Sequence, residues 1–415
     1  MATALVSEKF DLETLDITNT DFYTEDNWHE PFRQLRAEAP IHYCSDSRFG
    51  PYWSVSKLKP IQHIEALPKI FSSSYEYGGI VVALHVDKLI DGEFRMPMFI
   101  AMDPPQHTGQ RRTVAPAFGP KEMAAMRDEI VERTGAVLDS LPMDEAFDWV
   151  DKVSIELTTG MLAKLFDYPW EDRDDLTRWS DALGNVEIMT DPEGIAIRNQ
   201  NAHEMGEAFT RLWERKQKEE GGKDLMSIML RSDAMKEMSP EEFIGNMILL
   251  IVGGNDTTRN SMSGFAYGLH KFPEERAKLE ADPSLIPNAV SELLRWQTPL
   301  AHMRRTVMED TEIEGVKMKK GDKVVLWYLS ANRDESIFED PDSIRVDREN
   351  ARRHIAFGYG IHRCVGARLA ELQLNVLLEE MAKRKMRVNV LEEPRRVPAC
   401  FVHGYTNLMV ELSTY

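Results

Sequence analysis

One glycine-rich stretch, residues 354–366, constrains this chain more than any other part of its sequence. It reads His-Ile-Ala-Phe-Gly-Tyr-Gly-Ile-His-Arg-Cys-Val-Gly. Glycines at 358, 360 and 366 permit backbone conformations and close approaches that a side chain forbids. A helical pattern over residues 367–385 follows at once, so the N–H groups of a helix start point towards the sulfur of Cys364. The stretch predicts a cysteine held in a tight loop where a helix begins.

The surroundings of Cys364 predict a metal-binding thiolate. The helix start and the neighbouring cations, His362 and Arg363, favour the thiolate over the thiol. With an aromatic residue seven positions earlier, at Phe357, such a thiolate suits the single protein ligand of a haem iron. The alternative is a small buried hydrophobic residue near a turn, the usual role of a lone cysteine. The fixed spacing Phe-Gly-x-Gly-x-His-x-Cys-x-Gly argues against that alternative.

The charge balance excludes one class of partner. Lys and Arg number 50 against 69 Asp and Glu, a formal charge of −19 over 415 residues. Nucleic-acid phosphates and anionic membrane surfaces repel a chain this acidic. We therefore expect no nucleic-acid partner and no electrostatic attraction to a membrane.

The cysteines and the hydropathy pattern indicate a cytoplasmic protein. The three cysteines, at 44, 364 and 400, offer neither a disulfide framework nor a paired metal motif, which fits a reducing compartment. Residues 1–30 are acidic and contain no apolar signal-peptide core. The longest apolar run, 247–252, is too short to span a bilayer. We expect a soluble chain without a membrane anchor.

Hydrophobic periodicity predicts a mainly α chain with a smaller β-rich portion. Residues 1–29 are interpreted as an irregular lead-in and residues 30–415 as one domain, because no linker or repeat interrupts them. Helical patterns cover most of residues 120–296 and recur at 367–385. Strands are expected in three regions, 40–55, 305–330 and 388–412.

The longest helical pattern, residues 239–270, contains an acid–alcohol pair next to two glycines. Residues 249–258 read Leu-Leu-Ile-Val-Gly-Gly-Asn-Asp-Thr-Thr. Glycine inside a helix costs roughly 1 kcal/mol relative to alanine, so we expect room for a ligand against the backbone and a local bulge or kink. Thr257 can bond back to a carbonyl of its own helix or present its hydroxyl to that room, and Asp256 beside it is an acid in an otherwise apolar run. Alone, they could also be a polar patch where the helix reaches the surface.

At residues 357–366 the chain resembles the cytochrome P450 family, whose haem-thiolate signature it matches without a gap. The matching residues are Phe357, Gly358, Gly360, His362, Cys364 and Gly366. The resemblance implies the P450 fold, haem b as cofactor, Cys364 as the metal ligand and monooxygenase activity with O2. It also implies that Thr257 is the donor on the oxygen side and that Asp256 relays protons to it.

The resemblance further implies which cations bind the haem propionates, and a scaffold network behind the haem. The family's propionate-binding positions correspond to His107, Arg111, Arg305 and His362. Any one of these alone is more often an ordinary surface charge. Glu292 and Arg295 lie three apart among apolar residues, so they are expected to be buried and to need a further partner. In the family that partner is an arginine, here Arg348.

The segments expected to face the substrate are almost wholly aliphatic, which favours a hydrophobic substrate bound by burial of apolar area. The candidate substrate residues are Ile80, Val82, Leu249, Val252, Gly253, Met303 and Phe401. Residues 98–105 and 249–260 and the haem loop together resemble the bacterial alkane and fatty-acid ω-hydroxylases. That likeness implies hydroxylation of a terminal or near-terminal C–H bond of a medium-chain aliphatic molecule. The loop at 80–96 departs from the likeness and is expected to shape chain-length preference.

Three other functions are compatible with parts of this pattern. A P450 acting on a terpenoid or aromatic substrate shares every motif. A peroxide-driven haem-thiolate enzyme normally lacks an acid–alcohol pair such as Asp256 and Thr257. A non-catalytic haem protein needs no proton relay.

The expected electron donor is a [2Fe–2S] ferredoxin supplied by an NAD(P)H-dependent ferredoxin reductase. Four arginines cluster in sequence near the haem-binding segments of this acidic chain, namely Arg112, Arg352, Arg353 and Arg363. They could pair locally with the acids of residues 331–353. We expect them instead to form a basic patch on the thiolate side that binds an acidic ferredoxin.

Overall fold

The structure, a computed structural model, describes residues 9–83, 97–185, 187 and 192–415, and helices form most of this part. The α-helices in chain order are α1 (Asp21–Thr24), α2 (His29–Glu38), α3 (Leu58–Glu65), α4 (Gln106–Val114), α5 (Pro120–Asp139), α6 (Glu156–Phe166), α7 (Asp174–Gly184), α8 (Pro192–Lys216), α9 (Leu225–Leu230), α10 (Pro240–Lys271), α11 (Pro273–Ala281), α12 (Ile286–Gln297), α13 (Tyr328–Ala331) and α14 (Ala367–Lys383). A π-helical segment, Val150–Ile155, leads directly into α6.

Short strands complete the described part of the chain. They are β1 (Ile41–Cys44), β2 (Tyr52–Val55), β3 (Phe71–Ser72), β4 (Phe147–Asp148), β5 (Met303–Val307), β6 (Thr311–Ile313), β7 (Val316–Met318), β8 (Lys323–Leu326), β9 (Met386–Val390), β10 (Arg395–Arg396), β11 (Tyr405–Asn407) and β12 (Met409–Thr414). Single 3₁₀ turns lie at Tyr75–Tyr77, Phe99–Ala101, Ala115–Phe118, Trp170–Asp172, Pro283–Leu285, Ala351–Arg353 and Gly360–His362.

The largest sheet is mixed, with strand order β1-β2-β8-β5-β3. Strand β2 runs parallel to β8, with Trp53 opposite Val324, and β5 runs antiparallel to β8. A second sheet has the order β4-β12-β9, and two pairs, β6–β7 and β10–β11, stand apart. Each region in which strands were expected contains strands. The predicted fold class, mainly α with a smaller β-rich portion, is confirmed.

Helix α10 is the element on which the other helices pack, and it contacts α6, α7, α8, α12 and α14. Its start has the usual N-terminal cap, because the Ser239 hydroxyl accepts a hydrogen bond from the Glu242 N–H at 3.2 Å and Pro240 opens the first turn. From Pro240 to Lys271 it is a continuous α-helix. The expected bulge is therefore wrong, since the two glycines are accommodated within regular helical geometry.

The scaffold network predicted around Glu292 is confirmed. Arg295 donates to both carboxylate oxygens of Glu292 at 2.8 Å, and Arg348 Nε donates to the same carboxylate at 2.9 and 3.0 Å. Both Glu292 and Arg295 are fully buried. Arg295 also donates to the carbonyl groups of Asn332 and Pro341. The network fastens α12 to the irregular segment that precedes the haem loop.

The described part of the N-terminal lead-in packs onto the body of the protein. Leu15, Ile17, Tyr23 and Trp28 are buried in one cluster with Trp327. The boundary between residues 1–29 and 30–415 stays a prediction. Among the helices of the described residues, none is long and apolar enough to cross a lipid bilayer.

Candidate active site

A cavity of about 300 Å³ lies between α10, strand β5 and the loop at residues 357–366. Cys364 borders this cavity, and so do Asp256 and Thr257 of α10. Most of the other lining side chains are aliphatic or aromatic. The fold therefore places the predicted metal ligand and the acid–alcohol pair in one largely apolar space.

The loop before Cys364 has a shape that requires glycine. Gly358 and Gly360 have positive φ angles of 71° and 66°. A Cβ atom on Gly360 would lie 2.4 Å from the Glu65 carbonyl oxygen, so no larger residue fits there. The Cys364 N–H donates to the Phe357 carbonyl at 2.8 Å and closes the loop. These contacts aim the cysteine sulfur at the cavity.

The expectation that the loop by itself favours a thiolate is wrong. Burial raises the pKa of the Cys364 thiol, and this outweighs the lowering by the Gly366 N–H and by the arginines Arg111 and Arg363. Sequence reasoning counted the nearby positive groups and omitted the cost of burying the charge. All three cysteines of the chain are free.

One end of the cavity has the groups that haem propionates require. The ring centroids of His107 and His362 lie 4.2 Å apart, and both side chains are buried. None of their four ring nitrogens has a hydrogen-bond partner among the described residues. Burial lowers the pKa of His107 to about 4 and that of His362 further. Buried donors without acceptors are costly, so a ligand with acceptor oxygens fits here.

Two arginines complete this end of the cavity. Arg111 donates to the Arg363 carbonyl. Arg305 donates to the buried Glu65 carboxylate at 2.9 Å and to the Arg304 carbonyl at 2.7 Å. Arg111 and Arg305 both also border the cavity. With the single thiol of Cys364, these residues fit haem b: one axial sulfur and a cationic, hydrogen-bonding pocket for two carboxylates.

The acid–alcohol pair is held by distinct hydrogen bonds. The Thr257 hydroxyl donates to the Gly253 carbonyl at 2.9 Å. One oxygen of Asp256, Oδ1, accepts from the Ser180 hydroxyl at 2.8 Å and from Arg259 at 3.0 Å. Burial raises the pKa of the Asp256 carboxyl and Arg259 opposes that rise. An acid whose pKa is moved upward is better suited to exchange protons near neutral pH.

Asp256 is linked to the surface by a second ion pair. Arg259 also pairs with Asp181 on α7 at 2.7 Å, and the Asp181 side chain is 54% exposed. Helix α7 comes close at Gly184, where an added Cβ would lie 2.5 Å from Asp256 Oδ2 and 3.0 Å from a methyl group of Val252. The carboxylate is thus enclosed by α7 on one side and borders the cavity on the other.

The structure brings most of the predicted substrate residues to the cavity. Those that border it are Ile80, Leu249, Val252, Gly253, Met303 and Phe401. Val82 does not, and that prediction is wrong: its side chain is fully buried in the cluster around Trp327. Its neighbours Val81 and Ala83 border the cavity instead. Residues 84–96 of the predicted selectivity loop lie outside the described residues.

Sequence reasoning missed several residues around the site. Ser180, Glu65 and Gly184 belong to other elements, and nothing in their local patterns indicates the site. Arg198 of α8 borders the cavity as well, and it lies outside the segments that were expected to face the substrate.

Comparisons with known proteins agree with this geometry. A family model described as cytochrome P450 matches residues 196–384. A linalool 8-monooxygenase from Pseudomonas putida is 36% identical over 97% of this chain and 99% of its own length. A methyl-branched lipid omega-hydroxylase from Mycobacterium tuberculosis is 31% identical over 96% of this chain and 95% of its own. The structure of CYP153D17 from Sphingomonas sp. PAMC 26605 superposes with a TM-score of 0.91 at 61% identity, covering 96% of this chain and 98% of that one.

Proposed function

This chain belongs to the cytochrome P450 family, and from that premise we propose that it hydroxylates a terminal or near-terminal C–H bond of a medium-chain alkane or fatty acid. It is a haem-binding monooxygenase that uses O2 and a redox partner. The observation that carries the substrate proposal is the apolar wall, formed by residues such as Ile80, Leu249 and Phe401, that borders the same cavity as Cys364. A hydrophobic chain would be bound there by area burial.

The chain's own residues have three tasks in this reaction. Haem b, when bound, supplies the redox chemistry by which one oxygen atom of O2 enters the C–H bond while the other leaves as water, with two electrons and two protons consumed. Cys364 would ligate the iron through its sulfur. His107, His362, Arg111 and Arg305 would bind the propionates. The apolar wall orients the substrate and excludes water.

Proton delivery is assigned to Asp256 and Thr257. The ion pairs from Asp181 through Arg259 connect the Asp256 carboxylate with the surface. Asp256 would take up protons from that side, and the Thr257 hydroxyl would hold the water that passes them on. Ser180 fixes the orientation of the carboxylate through its bond to Oδ1. The second oxygen, Oδ2, lies next to Gly184 of α7.

The proposed electron donor is a [2Fe–2S] ferredoxin that binds the basic patch, defined as Arg112, Arg352, Arg353 and Arg363. All four side chains are exposed. Within the described residues none of them forms an ion pair with an acid, in contrast to Arg345 and Arg348 nearby. Unpaired exposed arginines next to the Cys364 loop favour an acidic partner on that side.

A terpenoid substrate is a second candidate, because the linalool 8-monooxygenase is a relative over almost the whole chain. Linalool is itself an acyclic, largely aliphatic molecule. It would be bound by the same kind of apolar wall. The two candidates therefore differ in the branching and length of the chain that the cavity accepts, and both require Cys364 and Thr257.

A substrate panel tests the proposal. The haem-loaded protein would be mixed with n-alkanes, fatty acids of graded length, linear terpenoids and aromatic compounds, and the spin-state shift of the haem would be recorded. Turnover would follow with NADH, a ferredoxin reductase and a [2Fe–2S] ferredoxin. We expect terminal alcohols from medium-chain aliphatic substrates. Preferred binding and oxidation of terpenoids or aromatic rings would reject the aliphatic assignment.

A spectroscopic control separates failure of the substrate assignment from failure of the site. The ferrous protein with carbon monoxide should show the absorption of a thiolate-ligated haem. Cys364→His should change it to that of an imidazole-ligated haem or abolish haem binding. Faster turnover with peroxide than with the ferredoxin system would favour the peroxide-driven alternative.

A further inference from the structure

We propose that His302 is a positioning residue that sets the shape of the substrate cavity, and thereby determines which carbon of an aliphatic chain is oxidised. This inference rests on the proposed function for its substrate class. His302 is fully buried and does not itself border the cavity. Its neighbours Leu300 and Met303 do. Any effect of His302 on selectivity must therefore pass through the residues it holds.

The imidazole of His302 connects two separate segments of backbone. Its Nε2 atom accepts a hydrogen bond from the Val82 N–H at 3.2 Å. Its Nδ1 atom lies 3.0 Å from the Cys400 carbonyl oxygen. A backbone N–H can only donate and a carbonyl can only accept, so the two partners fix a single neutral tautomer with the proton on Nδ1. Burial lowers the pKa of His302 to about 3, which keeps that tautomer present at neutral pH.

Both segments held by His302 form walls of the substrate cavity. The lining residues on either side of Val82 and Cys400 are Ile80, Val81, Ala83, Phe401 and Val402. The His302 ring also contacts the Phe401 ring edge-on, with 5.2 Å between centroids. Phe401 and Val402 pack with Val81, Leu300 and Met303 in a small cluster apart from the larger cores. Local contacts therefore position this wall, and His302 is the residue that contacts both of its segments.

Other hydrogen bonds fix this wall at different atoms. The Arg304 N–H donates to the Ile80 carbonyl at 2.7 Å, and Lys323 donates to the Ala83 carbonyl at 2.7 Å. The Val82 N–H and the Cys400 carbonyl, by contrast, are satisfied by His302. Loss of the imidazole would leave two buried backbone groups without partners. Such groups move or admit water to recover a hydrogen bond, and the wall would move with them.

Three substitutions separate the two hydrogen bonds. His302→Asn can still donate to the Cys400 carbonyl but is too short to reach the Val82 N–H. His302→Gln is long enough to accept a hydrogen bond from the Val82 N–H, but it loses the hydrogen bond to the Cys400 carbonyl. His302→Phe retains the ring contact with Phe401 and loses both bonds. The control is His63→Asn, on the exposed face of α3, which should match the unsubstituted protein in every readout.

Two readouts test the proposal, one of which needs no turnover. The first is the ratio of terminal to subterminal alcohol from a medium-chain aliphatic substrate. The second is the binding of N-alkylimidazoles of graded length, which ligate the haem and report the space above it whatever the native substrate is. We expect His302→Phe to change the product ratio by about fivefold and to shift the preferred alkyl length, with the Asn and Gln variants changed less and in different ways.

The outcome that overturns the proposal is a variant with a normal carbon-monoxide spectrum, an unchanged product ratio and an unchanged preference for alkyl length. A lower melting temperature with both readouts unchanged would show a purely structural role and also overturns it. Should His302→Phe fail to fold, the Asn and Gln variants decide. If the unsubstituted protein does not oxidise aliphatic chains, the proposed function fails, and the alkylimidazole series still decides the role of His302.

Discussion

At the residue scale, the site contains the Thr257 hydroxyl and the Asp256 carboxylate, which are adjacent in sequence but are held by different hydrogen bonds. Thr257 bonds back to its own helix at Gly253, so its hydroxyl stays at the cavity edge. Asp256 is held from another helix by Ser180. A back-bonded hydroxyl can exchange its carbonyl for a water at little cost. The pair can thus hold and move a proton without rearranging the backbone.

Replacing Thr257 with alanine should uncouple NADH consumption from product formation. Haem binding and the substrate-induced spectral shift should be retained, because the hydroxyl contributes to neither. Product per consumed NADH should fall about tenfold or more, with the electrons recovered as hydrogen peroxide. Thr257→Ser, which keeps the hydroxyl, is the matched control. Tightly coupled turnover in Thr257→Ala would remove this residue from proton delivery.

Local patterns predicted the Cys364 loop, which is continuous in sequence, and missed residues whose partners are distant. The propionate-binding positions, such as His107 and Arg111, came from the family resemblance instead. Ser180 reaches Asp256 across 76 positions, and His302 reaches Val82 across 220. Such contacts depend on how helices and strands pack, which no periodicity encodes. The error at Val82 has the same origin, because its position depends on the packing of the distant cluster that contains Trp327.

At the element scale, the close approach of α7 to α10 decides how the relay is enclosed. Gly184 allows the end of α7 to contact Asp256 and Val252. Gly253, one turn before Thr257, has no atom within 4 Å of where a Cβ would be. One glycine therefore serves helix packing and the other leaves the cavity open. The sequence indicated a function for the glycines of α10, such as Gly253, but gave no indication of the packing role of Gly184 in α7.

The same chemical change should have opposite effects at these two positions. Gly253→Ala should raise the free energy of unfolding by about 1 kcal/mol, since alanine favours the helix and meets no neighbour. Gly184→Ala should lower it by about 1–3 kcal/mol, because the methyl group overlaps Asp256. Thermal unfolding of the haem-loaded variants measures both. Equal effects of the same sign would contradict the packing seen between α7 and α10.

The first and last residues of the helices show where local sequence rules are sufficient to predict a helix boundary. The start of α10 follows from Ser239 and Pro240, whose effects are confined to one turn. The last helix was expected to reach Lys385 and ends at Lys383, because Lys385 adopts a left-handed φ of 48°. A lysine gives no sequence signal for that conformation. The start of a helix is therefore better encoded here than its end.

At the scale of the whole molecule, several histidines are buried in the neutral form, and this sets how the fold responds to acid. Burial lowers the pKa of His302 to about 3 and those of His354 and His403 to about 4. In the unfolded chain a histidine titrates near 6.5. Below that pH the unfolded state binds protons that the folded state does not. The stability contributed by each neutral imidazole is present above about pH 6.5 and is lost as the pH falls towards the folded pKa.

The free energy of unfolding should therefore fall steeply between about pH 6 and pH 4.5. Each of the three histidines contributes a slope of about 1.4 kcal/mol per pH unit in that range. Urea unfolding of the haem-loaded protein at a series of pH values measures the slope. His302→Gln should reduce this slope by about 1.4 kcal/mol per pH unit, the contribution of one titrating histidine. An identical slope in this variant would show that His302 is not neutral in the fold.

The charge distribution of the whole molecule also predicts how electrons arrive. A chain of charge −19 would repel the acidic ferredoxin proposed as its electron donor, so on that proposal the exposed arginines of the basic patch would provide the local attraction. Arg352→Glu should slow reduction by a [2Fe–2S] ferredoxin roughly tenfold at low salt and flatten the salt dependence of the rate. Arg211→Glu, the same change on exposed α8, is the control, and reduction by dithionite should not change in either variant. Unaltered ferredoxin kinetics in Arg352→Glu would place the binding surface elsewhere.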